Sequence, residues 1–392
     1  MRQFLFVGLA GFAAMTSMRI CDALLPSLAD SFGVSTGAAA TVISGFAIAY
    51  GVLQLVFGPL GDRYGKERVI GLAVLASMLL NLAIVFAPTL GALIALRVVA
   101  GAAAGGVIPL SMAHIGDSVP YAQRQSVLAR FIAVVILGMI SGQWLGGVFA
   151  DLAQWRAAFV LMTILFAIPG AVFLAELRRN PGKHATPTGP QPPPLRQMGE
   201  VLRTPWARVI LAAALVEGAF VFSSLTFIPT YLHWVYAVPL TVGGGVVASF
   251  GVGGLLYAYA APRLLRRIGE TGLPWAGGAL LALGFAMLVF SGHWGWALPA
   301  CFVMGLGFYM LHNTLQANAT QMAPQARGTG VALFACSLFL GQSLGVGSVS
   351  VVVDTFGIAS VLIASMIVLP LLAAWFAYQL LRRHANARQA PM

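Results

Sequence analysis

The chain of 392 residues is 59% hydrophobic and 8% charged, with a mean hydropathy of +0.89, whereas a soluble domain carries about 25% charge. This excludes a water-soluble globule and reserves most of the chain for apolar helices of about 20 residues each. The net charge of +11 does not mark a nucleic-acid binder, because the 22 basic residues are scattered over short loops and not gathered on one face.

Hydropathy predicts twelve spans, near 4–26, 38–59, 69–87, 92–113, 125–149, 157–175, 206–230, 242–262, 273–291, 295–317, 328–353 and 357–380. The first follows Arg2 and runs on past about twenty residues without a small-residue cleavage site, so it reads as a span and not as a removable signal. With the amino terminus in the cytoplasm, 17 basic residues fall inside and Arg156 outside, while Arg19, Arg97, Arg130 and Arg208 lie within spans. The positive-inside rule therefore predicts both termini in the cytoplasm of a cell inner (plasma) membrane. Segment 176–205, with its Pro190–Pro194 run, is predicted to be a cytoplasmic linker between bundles 1–175 and 206–392, the second ending in a short cytoplasmic tail. Cys21, Cys301 and Cys336 lie in apolar runs without metal-like spacing and read as small core residues. No cofactor is implied.

In the first span Asp22 follows Arg19 by three residues, on one helix face. A static ion pair and a titrating carboxylate are both open readings of Asp22. The loop after the second span reads Gly58-Pro59-Leu60-Gly61-Asp62-Arg63-Tyr64-Gly65-Lys66, and a fainter copy, Pro262-Arg263-Leu264-Leu265-Arg266-Arg267-Ile268-Gly269, follows the eighth at an offset of 204 residues. Duplicated halves of this kind are common in transporters. Gly61 to Lys66 has the wrong spacing for a phosphate-binding loop.

The loop resembles the signature of the major facilitator superfamily, Gly-x-Leu-x-Asp-Arg-x-Gly-Arg-Lys, with Gly58, Leu60, Asp62, Arg63 and Gly65 matching. The resemblance implies an all-α membrane protein, with twelve transmembrane helices in two pseudo-symmetric six-helix bundles around a central cavity. It also implies a conformational latch at Gly58, Asp62, Arg63 and Gly65, in which Asp62 sits against the amino end of the eleventh helix. A carboxylate is well placed there, because it meets unpaired N–H groups and a positive dipole end. Arg266 stands where Asp62 would repeat, so the latch is expected on one half only.

Further matches follow along the chain. Arg97-Val98-Val99-Ala100-Gly101 in the fourth span resembles the superfamily's Arg-x-x-Gln-Gly, with Ala100 for Gln. A guanidinium snorkelling to the outer surface is the alternative. Arg97 and Asp22 lie about five and four residues inside the outer ends of their spans, roughly 6–8 Å deep. The resemblance makes those spans neighbours, so the two are expected to pair across the cavity. In the fifth span Gly138, Gly142, Gly146 and Gly147 form one smooth face. It resembles an antiporter signature ending Gly-Pro-x-x-Gly-Gly, but Gln143 replaces the Pro, and helix packing is the safer reading. Gly341 and Gly345 in the eleventh span and the cluster 243–254 in the eighth read the same way.

Glu217, near the middle of the seventh span, has no helix-local partner. A carboxylate is costly to bury in hydrocarbon and can exchange a proton for a cation. Phe220 and Phe222 offer either a greasy cavity wall or lipid-facing packing. His312, Asn313, Gln316 and Asn318 make a polar stripe at the end of the tenth span. Of these, His312 and Asn313 are placed in the cavity and Asn318 on a solvated face.

The expected function is secondary active transport by alternating access, resembling the twelve-span drug/proton antiporter branch and exporting small amphipathic organic compounds against protons. Proton coupling is assigned to Asp22, Arg97, Glu217 and Arg19, and the cavity to Phe220, Phe222, His312 and Asn313. The chain is expected to be no enzyme and to act as a monomer in the bilayer, its partners being a small-molecule substrate and protons. Transport of a metabolite such as a sugar, amino acid or organic acid is the alternative within transport, and a transporter-like sensor the alternative outside it.

Overall fold

The computed structural model describes residues 2–179 and 194–389; the linker's Pro190–Pro194 run lies outside them up to residue 193. The first half comprises α1 (Arg2–Arg19), α2 (Leu25–Phe32), α3 (Thr36–Tyr64), α4 (Lys66–Val85), α5 (Leu90–Ala104), α6 (Val107–Ser118), α7 (Tyr121–Asp151) and α8 (Trp155–Arg179). A short amphipathic helix, α9 (Pro194–Arg203), precedes α10 (Pro205–Glu217), a π-helical turn at Gly218–Phe222, α11 (Ser223–Tyr236), α12 (Leu240–Phe290), α13 (Ala297–Ala319), α14 (Arg327–Phe356) and α15 (Ile358–Gln389). Side-chain caps start two of the spans: Ser35 accepts from the Ala38 N–H at 3.1 Å and Thr89 from the Ala92 N–H at 3.2 Å.

These helices make twelve spans, with four departures from the predicted ones, the fourth span being divided at Gly105-Gly106 between α5 and α6. The first span is broken at residues 20–24 and continues through α2 to Phe32, six residues beyond its predicted end. The cause is Pro26, which lacks an N–H and whose ring crowds the carbonyl four residues back, that of Asp22. Asp22 therefore lies in a break inside the span, not four residues from its end. The eighth and ninth spans run together as α12 and part at Gly269, whose φ of 71° is left-handed and favours glycine. The seventh is divided by the π turn, which begins one residue after Glu217.

Close helix approach organises both bundles. A methyl added at Gly138, Gly142 or Gly146 of α7 would strike the carbonyls of Phe12, Thr16 and Ile20, so three glycines four apart ride on α1. In the second half Gly341 and Gly345 of α14 meet the carbonyls of Leu215 and Ala219 in the same manner. The bundles meet where α3 lies along α14 and α7 along α12.

Candidate functional site

A cavity of about 1790 Å³ separates the bundles. Met15, Tyr50, Leu55, Phe334 and Phe339 give it apolar walls, with Gln54 and His312 among them, and Asp62, Arg63, Lys66 and Arg327 line its mouth. The mouth is thus at the end of the molecule that carries the basic loops. At the opposite end the bundles are joined. Asp151, at the end of α7, accepts from the Leu240 and Thr241 N–H groups that open α12, at 2.8 and 2.7 Å, and Ser35 donates to Asp354 at 2.7 Å. Asp151 is a carboxylate on a helix amino terminus, reached from the other bundle.

Two buried ionic clusters lie between these ends. In the first, Asp22 accepts from Gln143 of α7 at 2.7 Å and from Thr226 of α11 at 3.5 Å, and pairs with Arg19 at 3.5 Å. Arg19 also lies 4.3 Å over the Phe222 ring. The expected Asp22–Arg97 pair is absent among the described residues. Arg97 donates instead to the Ser17 carbonyl at 3.1 Å and stacks 4.0 Å over Phe46, so it is held within its own bundle while Asp22 turns toward α7 and α11. Snorkelling is not observed either, since Arg97 is completely buried.

In the second cluster the completely buried Glu217 meets His312 Nδ1 at 2.8 Å through Oε2. Its partner comes from a helix 95 residues away. The imidazole is stacked on Phe308 at a centroid distance of 4.9 Å and tilted against Phe334 at 5.5 Å. The π turn beside Glu217 is supported by Ser365, which donates to the Phe220 carbonyl at 3.1 Å.

Of the four expected cavity residues, only His312 lines the cavity. Phe222 is instead covered by Arg19 and packed on Phe308, Phe220 packs against the core, and Asn313 lies beside the Tyr257 hydroxyl. The solvated face expected for Asn318 is also corrected. This amide is 6% exposed and donates to Glu270 at 2.7 Å, Glu270 being the residue after the Gly269 kink of α12. In the signature loop Gly58, Asp62 and Arg63 line the mouth, Asp62 lies 3.2 Å from Lys66, and Lys66 reaches on to Asp117 at 2.6 Å. Gly65 has a φ of 89°, which explains the glycine.

Residues 7–346 match the Major Facilitator Superfamily. The chain belongs to this superfamily. It is 25% identical over 346 residues to the uncharacterized MFS-type transporter YceJ of Bacillus subtilis (strain 168), covering 85% of each chain. It is 28% identical over 285 residues to the cephamycin export protein CmcT of Amycolatopsis lactamdurans, covering 70% of this chain and 54% of that one. Its fold is similar to that of the nucleoside transporter NupG (D323A mutant), with a TM-score of 0.78 at 13% identity, over 97% of this chain and 99% of that one. The protein is a multi-pass membrane transporter of this superfamily.

Three positions at these clusters and contacts are not evident from the sequence of this transporter. In sequence Gln143 is only a departure from a signature, yet it supplies the shortest contact to Asp22. Thr226 lies 204 residues after Asp22, and that repeat offset was available as a signal. Asp151 ends a span and looks like any loop acid; nothing local in sequence shows that it caps α12.

Proposed function

We propose that this transporter exports small amphipathic organic compounds in exchange for protons, with its basic end in the cytoplasm of the inner membrane and alternating access between the two bundles. The observation that carries the reading is the Glu217–His312 pair. A carboxylate completely buried mid-span is reached from the cavity through one imidazole, while the far end of the molecule is closed. An ionisable group so placed in a membrane marks an ion or substrate pathway by default. The cavity's walls, with Met15, Tyr50, Phe334 and Phe339 on them, suit an apolar body larger than a single ion. The export function named for CmcT agrees with this direction.

Everted membrane vesicles containing the protein test the reading against a panel of amphipathic fluorescent dyes. An acid interior drives accumulation of at least one dye, and a protonophore abolishes it. Accumulation that is the same with and without the pH gradient sinks proton exchange.

A further inference from the structure

We infer that the Nε2 nitrogen of His312 is the atom that reads the substrate, and that one proton on the Glu217–His312 pair reverses what it reads, from hydrogen-bond donors to hydrogen-bond acceptors. The inference rests on the proton-coupled reading of the pair and adds to it the chemistry of the substrate group.

Glu217 itself is screened from substrate. It is completely buried, its Oε2 is engaged by His312 Nδ1, and its Oε1 is enclosed without a hydrogen-bond partner. The imidazole stands between the carboxylate and the cavity, whose wall it joins. With Nδ1 taken, Nε2 is the remaining polar atom of the ring. It makes no hydrogen bond among the described residues, and it is not among the buried polar atoms left without one, so solvent reaches it. Phe308 and Phe334 flank the ring and oppose its rotation.

The proton count then fixes the polarity. Without an added proton the carboxylate accepts from Nδ1–H, the imidazole is neutral, and Nε2 presents a lone pair. The pair then carries one negative charge. With one added proton there are two arrangements, a carboxylate facing an imidazolium or a carboxylic acid donating to Nδ1 of the other tautomer. In both, Nε2 carries the hydrogen and the pair is neutral, so the reversal does not depend on which partner holds the proton.

No other charge in contact competes with this. Among the described residues, the ion-pair and ring partners of the imidazole are Glu217 from α10, Phe334 from α14 and Phe308 of its own helix. From α12, Phe250 packs on Phe308 and Tyr309, and the Tyr257 hydroxyl faces Asn313. Arg19 of α1 lies behind Phe222. A donor such as a protonated amine therefore binds the deprotonated pair, and an acceptor such as a carboxylate binds the protonated pair. Exchange against protons requires substrate and proton to occupy the pair in different states, so an exchanged substrate presents a donor, while an acceptor would travel with the proton.

Binding of three probes to the purified transporter tests this: 1-naphthylmethylamine, 1-naphthylacetate and the trimethylated quaternary form of the amine. The first two keep their charges between about pH 5.5 and 8. Because the amine complex and the carboxylate complex differ by one bound proton, the ratio of their affinities rises about tenfold per pH unit in favour of the amine, wherever the pair titrates. The quaternary probe has the charge without an N–H and is expected to bind about tenfold or more weakly than the amine at pH 8, the loss of one charge-assisted hydrogen bond. An affinity ratio that stays level with pH overturns the reversal, and so does failure of the amine to bind at pH 8. Equal binding of the amine and its quaternary form overturns His312 as the reader, because the charge of Glu217 alone would then suffice. These results are independent of the vesicle assay: a level ratio alongside gradient-driven accumulation refutes this inference and spares proton exchange, whereas loss of gradient dependence refutes the exchange itself.

Discussion

The two halves of this transporter share a scaffold and differ in where they bury charge. Gly101 packs under the Phe46 carbonyl and Gly305 under that of Phe250, each member 204 positions from its counterpart. Gly65 and Gly269, also 204 apart, both take positive φ in the loops between helices. Even Asp22 and Thr226, which touch across the bundle interface, are counterparts at that offset. The charges do not follow the repeat. The first half buries Arg19, Asp22 and Arg97, where the second has Ser223, Thr226 and Cys301. The second half buries Glu217 against His312, where the first has Ala13 and Ile108. Positions that set helix approach tolerate little change, because backbone meets backbone there. Buried positions free of such a backbone approach diverge into separate chemistries.

The largest effect is expected where the halves agree. Gly101→Leu and Gly305→Leu each force a side chain against a carbonyl, and overpacking of this kind costs about 1–3 kcal/mol or more. Both variants should lower the melting temperature and the yield of folded protein to a similar degree. If only one does, the halves do not share the packing rule that their geometry suggests.

Where the halves differ, function should fail without loss of fold. Glu217→Gln keeps the shape of the side chain and removes its proton, so gradient-driven accumulation should fall on the order of 100-fold, a typical loss for a positioned proton-transfer group. The melting temperature should change little. Thr226→Val, at the neutral counterpart of Asp22, should leave gradient dependence in place. Equal accumulation by wild type and Glu217→Gln would make the carboxylate structural.

This contrast also explains what was legible in the sequence. The spans, the six-and-six division and the glycine faces were readable because hydropathy and residue size act locally along one helix. The break at Asp22 was readable in principle, since Pro26 lies four residues on, but hydropathy averages over it. Partners across helices were not readable. Glu217 lacked a neighbour on its own helix, and only the fold brings His312 to it across 95 residues. The matched depths of Asp22 and Arg97 were misleading, because depth says nothing about the direction in which a helix face points. Nor does sequence show which way Phe220 and Phe222 face, and in the structure Phe222 lies under Arg19 and on Phe308.

A double-mutant cycle sharpens the account of the first half. Neutralising Asp22 and Arg19 singly and together should give a coupling energy of about 0.5–3 kcal/mol in thermal stability, as for groups in contact. The cycle of Asp22 with Arg97 should give a smaller value, because Arg97 donates to the Ser17 carbonyl and stacks on Phe46 and does not touch the Asp22 carboxylate. Comparable coupling in both cycles would mean that Asp22 exchanges partners as the cavity changes sides.

The smallest effect concerns the two ends. At the closed end the Asp151 carboxylate reaches across the bundle interface and accepts from two N–H groups at the start of α12. At the open end Asp62 lies against Lys66 of its own half, while Arg327, the first residue of α14, lines the same mouth. If the bundles rock, closing the mouth would bring Asp62 toward the start of α14 and separate Asp151 from α12, so that one carboxylate holds each state. Loss of a capping carboxylate costs about 0.5–2 kcal/mol, enough to shift a near-balanced equilibrium several-fold without unfolding either bundle. Asp151→Ala should therefore favour opening of the far end, and Asp62→Asn should favour the state with the open mouth. Labelling rates of single cysteines at Gln54 and at Ser35 report the two ends. Asp151→Ala should slow labelling at residue 54 and speed it at residue 35, and Asp62→Asn should do the reverse. Rates that move in the same direction in both variants would show that the carboxylates stiffen the molecule and do not select between its states.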